Sequence, residues 1–251
     1  MGSTSTPALP ALQTRPKFIF FTDFDGTITA QDSNDFLTDN LGYGPELRKK
    51  GNRDVLELRR DFRDAFQEML DSIKTPLDQC VATLIKNIDL DRGFHEFFHW
   101  ARDNNVPIVI LSGGMEPVIR ALLAHYLGQA EADSLQIVSN QVVPRPGKAS
   151  INEEAGWQII FHDERYAFFR APFTPSDTTI NRAHSGFGHD KSIEIRPYAN
   201  LPKEERPVLF YAGDGVSDLS AAKETDLLFA KAGRGELRHV HDPLSLSSFF
   251  C

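Results

Sequence analysis

Cysteine is scarce in this sequence, which contains only Cys80 and Cys251 among its 251 residues. Two cysteines cannot build a disulfide framework, and a reducing compartment is the simplest interpretation. No stretch approaches about 18 uninterrupted apolar residues, so we expect no membrane-spanning helix and no membrane partner. The start of the chain also lacks the basic beginning and apolar block of a secretion signal. Together these absences favour a cytoplasmic protein.

Residues 1–16 are rich in proline, serine and threonine, and we interpret them as a disordered leader. Gly2 and Thr6 match the short Met-Gly-x-x-x-Ser/Thr pattern of N-myristoylation. Because this pattern also occurs often by chance, the sequence leaves open whether Gly2 is myristoylated.

Basic residues do not dominate any part of the chain. The net charge is −8 and there is no Lys/Arg-rich block, which argues against a nucleic-acid partner. An acidic protein can still bind a small anion, because a site can be locally positive. With 41% apolar and 25% charged residues, the composition is that of an ordinary globular protein with one core domain and room for a small second one.

Apolar runs that end in polar or glycine-rich corners recur along the chain. The first of them, KFIFFTDFDGTIT, covers residues 17–29, and three more cover residues 106–114, 206–215 and 226–233. Such runs predict buried strands of a mainly parallel sheet, and hence an α/β fold. Residues 135–143 and 156–163 predict two strands of a hairpin or flap.

Helices are predicted between these strands. Apolar residues recur at spacings of three and four from Val55 to Ile73, which predicts one amphipathic helix within residues 46–75. Further helices are predicted over residues 76–86, 94–105, 116–128 and 216–225. The stretch of about 32–90 is therefore expected to form a small helical insert after the first strand.

The polar residues near the strand ends supply four carboxylates, one hydroxyl, one ammonium group and glycines whose N–H groups can approach an anion. These candidates are Asp23, Asp25, Ser112, Gly113, Lys191, Asp214 and Asp218. The set suits phosphoryl transfer, because a carboxylate that attacks a phosphate dianion meets like-charge repulsion. Mg²⁺ on oxygen ligands, together with a lysine, neutralises that repulsion.

The motifs DFDGT at 23–27, Ser112-Gly113, Lys191 and GDGVSD at 213–218 occur in the order found in one family. The chain resembles haloacid dehalogenase (HAD) superfamily phosphatases of the phosphoserine-phosphatase-like branch, and within it a fungal group that includes sugar-alcohol (polyol) phosphatases. The resemblance implies a Rossmann-like three-layer core with a parallel sheet, formed by residues 17–31 and 91–233. It also implies a helical cap domain over residues 32–90.

The same resemblance implies a role for each motif residue. Asp23 would be the nucleophile that forms an aspartyl-phosphate, and Asp25 the general acid and then the general base. Mg²⁺ would be bound by the Asp23 carboxylate, the Asp25 backbone carbonyl and Asp214, with support from Asp218. Ser112, Gly113 and Lys191 would hold the phosphate oxygens. The implied partner is a small-molecule phosphate ester that is hydrolysed under the closed cap.

Two positions depart from the phosphoserine-specific pattern. The residue before the last motif aspartate is Ser217 where asparagine is usual, and Asp32 stands where the family has a glutamate aimed at the substrate amine. Both residues are candidate substrate-recognition residues, and both changes weaken the case for phosphoserine as the substrate. A polyol phosphate, phosphoserine and a phosphorylated methylthio-pentane compound stay open as substrates.

Two segments also depart from the family. Residues 165–184 interrupt a stretch that is nearly continuous in relatives, and we interpret them as an atypical loop insertion. Residues 234–251 replace a further strand and helix, and we interpret them as an atypical truncated tail. A catalytically impaired relative is therefore the main alternative to an active phosphatase.

Two further functions would use a similar set of polar residues. A signalling receiver domain is disfavoured by the length of the chain and by the helical insert, whereas phosphoryl transfer to an acceptor alcohol in place of water stays open. The sequence does not indicate an oligomeric state. His162, His184 and His189 are scattered, and we predict that they are surface or loop residues.

Overall fold

The computed structural model describes residues 9–163, 189–215 and 218–231. Its centre is a six-stranded sheet whose strands follow the spatial order β4-β3-β2-β1-β5-β6. The strands are β1 (Phe18–Thr22), β2 (Ile108–Met115), β3 (Gln136–Pro144), β4 (Trp157–Ile160), β5 (Val208–Gly213) and β6 (Leu227–Ala230). All neighbouring pairs are parallel except β3 and β4, which form the predicted hairpin. The predicted α/β fold class is thus confirmed.

The helices of the described chain lie between and beside these strands. They are α1 (Ser33–Leu41), α2 (Pro45–Leu56), α3 (Phe62–Asp71), α4 (Leu77–Ile85), α5 (Phe94–Asp103), α6 (Glu116–Leu127), α7 (Gln129–Ser134), α8 (Lys191–Ala199) and α9 (Leu219–Ala222), with a 3-10 turn at Pro10–Leu12. None of these helices is long and apolar enough to cross a membrane.

Strand β1 alternates its side chains between two apolar layers, which is why a run of five apolar or β-branched residues is needed there. Ile19 and Phe21 are fully buried on one face, where they pack with Tyr198 of α8. Phe24, just after the strand, belongs to the larger cluster on the other side of the sheet, with Ile110 among others. Helices therefore cover both faces of the sheet, as the three-layer prediction requires.

The single amphipathic helix predicted within residues 46–75 is wrong. The structure divides this stretch into α2 and α3, and the break contains Leu58, which adopts a φ of 57° and is 92% exposed. Phe62 and Phe66 follow the break at the same helical spacing as the apolar residues before it. The sequence pattern therefore did not reveal that the helix is interrupted. The apolar face of α3 still packs inward, with Phe66 and Leu70 buried.

The two ends of the helical insert are paired with each other just after β1. Thr29 forms an antiparallel bridge with Leu90, and the N–H of Ala30 donates to the carbonyl of Asp89 at 2.8 Å. Helices α1 to α4 lie between these two crossing points. The division of the chain into a cap and a core stays a prediction.

Candidate active site

The predicted site residues converge because three neighbouring parallel strands end at one edge of the sheet. β1 lies between β2 and β5, so Asp23 after β1, Ser112 in β2 and Asp214 after β5 meet at their carboxyl-terminal ends. We expected Ser112 and Gly113 to follow β2. The structure places them within β2 instead, in an irregular part of the strand. The register of β2 against β3 shifts between Leu111 and Met115. Such an irregularity redirects side chains at a strand end.

A buried lysine ties two of the carboxylates together. Lys191 Nζ lies 2.9 Å from Asp23 Oδ1 and 2.7 Å from Asp218 Oδ1, and both Lys191 and Asp218 are only 2% exposed. The second oxygen of Asp218 accepts hydrogen bonds from the backbone N–H groups of Asp214 and Gly215, each at 3.1 Å. Asp218 is therefore fixed by the loop that carries Asp214.

Lys191 reaches this position because it is the first residue of α8, which the sequence did not predict. Asp190 caps this helix by accepting a hydrogen bond from the N–H of Ser192 at 3.0 Å. Asp190 is a residue type that favours the N-cap position. Pro197 and the lack of periodically spaced apolar residues nevertheless argued against a helix in this stretch.

The site has more negative charge than one lysine can neutralise. Burial raises the pKa of Asp23 to about 7; Lys191 opposes this rise, whereas Asp218 and Asp214 add to it. Burial alone would lower the pKa of Lys191, but Asp218 and then Asp23 raise that pKa above its usual value, so the ammonium group stays charged. A further cation at this point would therefore be stabilised.

The residues present fit a magnesium ion. Asp23, Asp214 and Asp218 each place a carboxylate oxygen within 4.8 Å of the others. All the donors are carboxylate oxygens, the ligands that Mg²⁺ prefers. The carboxylate of Asp25 lies outside this group, and the role of its backbone carbonyl as a ligand stays a prediction.

The carboxylate of Asp25 is instead held by the first turn of α1. One oxygen accepts from the N–H of Ser33 at 2.8 Å and the other from Asn34 Nδ2 at 2.9 Å. Burial, and then the charge of Asp32, raise the pKa of Asp25 well above its ordinary value. Gly114 is required here, because a Cβ at this position would lie 2.8 Å from Asp25 Oδ2. Asn34 carried no motif signal and was missed by the sequence reasoning.

Asp32, a predicted substrate-recognition residue, has a structural role in the fold. It is the N-cap of α1, and its Oδ1 accepts from the N–H groups of Asn34 at 2.8 Å and Asp35 at 2.9 Å. Its contact with a substrate stays a prediction. Ser217, the second predicted recognition residue, lies outside the described residues.

The Ser112–Gly113 segment is anchored by two residues that the sequence reasoning did not place in the site. His189 Nδ1 lies 2.9 Å from the carbonyl oxygen of Ser112, and Asn140 Nδ2 donates to the carbonyl of Gly113 at 2.6 Å. Asn140 is 1% exposed, and its own carbonyl accepts from the N–H of His162 at 2.7 Å. Both backbone carbonyls are thus tied to neighbouring elements and held in one orientation.

His189 lies in the loop before α8, as one of the two predicted alternatives has it, but it is not a surface residue. Its side chain is only 4% exposed, its ring centre lies 4.6 Å from that of His162, and its Nδ1 is bonded to the Ser112 carbonyl oxygen. Burial, and then the neighbouring His162, lower its pKa to about 3, so that the ring is neutral. His162 is partly buried rather than exposed, and His184 lies outside the described residues.

A buried lysine–carboxylate network with a raised pKa, at the carboxyl edge of a sheet with helices on both faces, is typical of the active site of an α/β enzyme. The family model described as haloacid dehalogenase-like hydrolase matches residues 20–151. The chain belongs to this family. The predicted family, fold class and assignment as a phosphatase of the HAD type are therefore confirmed.

Two fungal proteins are similar over most of their length. The chain is 45% identical to Pdp3-interacting factor 1 of Schizosaccharomyces pombe over 230 residues, which cover 91% of this chain and 89% of that protein. It is 46% identical to Polyol phosphate phosphatase PYP1 of Saccharomyces cerevisiae, over 87% of this chain and 82% of that protein. A phosphoserine phosphatase solved with an analogue of its phospho-aspartyl intermediate has the same fold, with a TM-score of 0.56, 17% identity and coverage of 86% of each chain.

Proposed function

We propose that this protein is a Mg²⁺-dependent phosphomonoester hydrolase that acts on a small polyol phosphate through an aspartyl-phosphate intermediate. The observation that carries this proposal is the buried network in which Lys191 bridges Asp23 and Asp218 while Asp214 stands beside them. An unreactive core has no need for three carboxylates around one ammonium group, since burying such charges is costly.

Asp23 is the nucleophile in this scheme. Its carboxylate oxygen forms a bond to phosphorus as the ester P–O bond breaks, and the leaving alcohol takes a proton from Asp25. Asp25 suits that role because burial and the charge of Asp32 raise its pKa well above the ordinary value, which favours the protonated form that a general acid needs. Asp25 then removes a proton from water, whose oxygen attacks phosphorus, so that inorganic phosphate leaves and the Asp23 carboxylate is regenerated.

The remaining residues stabilise charge on the transferring group. Lys191 and the Ser112–Gly113 segment hold the phosphoryl oxygens, in a pocket whose backbone carbonyls are anchored by Asn140 and His189. Mg²⁺, held by Asp23, Asp214, Asp218 and the Asp25 carbonyl, would neutralise the substrate dianion and orient its oxygens. Helices α1 to α4 form the cap that covers the site and contacts the leaving group.

The polyol substrate rests on the 46% identity with Polyol phosphate phosphatase PYP1. A second candidate is a catalytically impaired relative, which the atypical segments 165–184 and 234–251 favour; both lie outside the described residues. The predicted cytoplasmic location, which follows from the scarcity of cysteine, stays a prediction.

The test is phosphate release from polyol phosphates, phosphoserine and a phosphorylated methylthio-pentane compound, with Mg²⁺ and with chelator. We expect Mg²⁺-dependent release, greatest for a polyol phosphate, that is lost in Asp23→Asn and retained in Asp103→Asn, a change at an exposed aspartate of α5. A folded wild-type protein that releases no phosphate from any ester would favour the impaired relative, and preference for phosphoserine would overturn the substrate.

The covalent intermediate needs its own experiment. With p-nitrophenyl phosphate, whose leaving group needs no protonation, Asp25→Asn should accumulate a phosphorylated chain that hydroxylamine cleaves. Asp23→Asn should show no such species. Phosphorylation that survives in Asp23→Asn would show that Asp23 is not the nucleophile.

A further inference from the structure

A second group of metal-ligating side chains lies beside the proposed active site and takes no part in the chemistry described above. It consists of His162, two residues after β4, together with His189 and Glu194 around the start of α8. Each of the three places one ligand atom within 4.8 Å of the others. We call this group the histidine cluster.

The buried imidazole of His189 points to a missing ligand. The carbonyl oxygen of Ser112 can only accept, so Nδ1 of His189 carries the hydrogen that bonds to it. Because the ring is neutral, Nε2 then holds a free lone pair. Among the described residues, no donor lies within hydrogen-bonding distance of this buried Nε2. An acceptor nitrogen of a side chain only 4% exposed costs free energy unless something binds it.

The other two members already stand at a spacing that suits a metal. His162 Nε2 and Glu194 Oε1 are hydrogen-bonded at 3.1 Å. Two ligands at about 2.05 Å from a tetrahedral zinc ion are separated by about 3.3 Å, so an ion that replaced the shared hydrogen would need little change in this spacing. Small side-chain rotations would bring all three ligand atoms onto one ion, since none lies more than 4.8 Å from another.

The surroundings match those of known histidine ligands. A histidine that binds a metal through one ring nitrogen usually donates from the other to a carbonyl or carboxylate. His189 makes this bond to Ser112, and it fixes both the tautomer and the direction of Nε2. Two imidazoles and one carboxylate favour a first-row transition metal over Mg²⁺, which prefers oxygen ligands alone.

We propose that His162, His189 and Glu194 form a second metal site for a transition-metal dication such as Zn²⁺, distinct from the acidic Asp23–Asp214–Asp218 site. Three protein ligands leave a fourth position for water, as in open zinc sites. A metal bound here would pull on the same His189 ring that anchors the Ser112 carbonyl, so its occupancy would be communicated to the proposed phosphate-binding segment.

The test is a titration of the metal-stripped full-length chain with Co²⁺, in the presence of excess Mg²⁺ to occupy the acidic site. We expect one Co²⁺ per chain with the strong visible absorption of four- or five-coordinate cobalt, displaced by Zn²⁺. His162→Gln and Glu194→Gln should each weaken binding by at least about 10–100-fold, the loss that removal of a residue behind a metal ligand already causes. The matched control is His95→Gln, which removes one member of the exposed His95–His99 pair on α5 and should leave the spectrum unchanged.

A second measurement protects the test against variants that fail to fold. In wild-type protein labelled at histidine with ¹⁵N, added Zn²⁺ should shift Nε2 of His189 while Nδ1 keeps its bonded hydrogen. The proposal is overturned if the wild type binds no Co²⁺ or shows only the weak absorption of octahedral cobalt. It is equally overturned if absorption is lost in His95→Gln, or if binding persists at wild-type strength in both cluster variants.

Discussion

Replacing Asp23 by asparagine should stabilise the metal-free protein, although it removes the proposed nucleophile. Burial raises the pKa of Asp23 from an ordinary value of 3.8 to about 7. A carboxyl group whose pKa is higher in the folded than in the unfolded state favours folding most at low pH, and this contribution is lost as the pH rises through the folded pKa. Each unit of difference between the folded and unfolded pKa corresponds to about 1.4 kcal/mol. Above pH 7, the ionised Asp23 therefore lowers the free energy of unfolding by about 4 kcal/mol.

The assay is urea unfolding of wild type and Asp23→Asn with chelator, at pH 4.5 and pH 8. Asparagine resembles the protonated aspartate, so the variant should be more stable by about 1 kcal/mol or less at pH 4.5 and by about 4 kcal/mol at pH 8. With a denaturant dependence of about 3 kcal/mol per molar urea, the midpoint at pH 8 should rise by more than 1 M.

Two controls separate this effect from a general loss of negative charge. Asp103→Asn, at an exposed aspartate, should change stability by less than about 0.5 kcal/mol at either pH. Added Mg²⁺ should stabilise wild type at pH 8 more than it stabilises Asp23→Asn. An Asp23→Asn protein that is no more stable than wild type at pH 8, or one that gains equally at both pH values, would refute the reasoning.

Three further predictions concern the surroundings of the site and the helical insert. Asn140→Ala removes the donor to the Gly113 carbonyl and should lower the free energy of unfolding in urea by about 1–3 kcal/mol. The same change should weaken inhibition by inorganic phosphate. Unchanged inhibition would show that Asn140 does not position the Ser112–Gly113 segment. Gly213→Ala would push a Cβ into the carboxylate of Asp218 and should lower the melting temperature by about 3–10 °C. Gly113→Ala, whose Cβ would meet nothing within 4 Å, should change it by less than about 2 °C, and equal shifts would contradict the overlap. Leu58→Gly should raise stability in urea by about 1 kcal/mol, because glycine accepts the φ of 57° without strain, whereas Leu58→Ala should not.

The central strands were predictable because their sequence pattern is set by burial. Ile19 and Phe21 are apolar since both faces of β1 are covered, and Asp23 ends the run where the strand leaves the core. A carboxylate that follows such a strand can be placed at the edge of the sheet without knowledge of the neighbouring strands. The positions of Asp23, Ser112 and Asp214 at one edge of the sheet followed from this rule.

Residues that act through tertiary contacts were not predictable in the same way. Asn140 lies in the middle of β3, and no local pattern indicates that its amide reaches the Gly113 carbonyl. His189 is buried by elements distant in sequence, and its neighbour His162 lies across an intervening stretch of chain. The spacing of apolar residues likewise does not predict the break at Leu58. The apolar residues of the two flanking helices keep the same spacing on either side of this strained, exposed residue.

The order of the strands also determines when the proposed active site can form during synthesis of the chain. β1 is made early, but one of its two neighbours in the sheet is β5, and Lys191 and Asp218 come from the last part of the described chain. The nascent chain must therefore carry an exposed edge of β1 and an unbridged Asp23 until that part has left the ribosome. Assembly of the Asp23–Lys191–Asp218 bridge is then a late, non-local event, and its appearance would report that folding is complete.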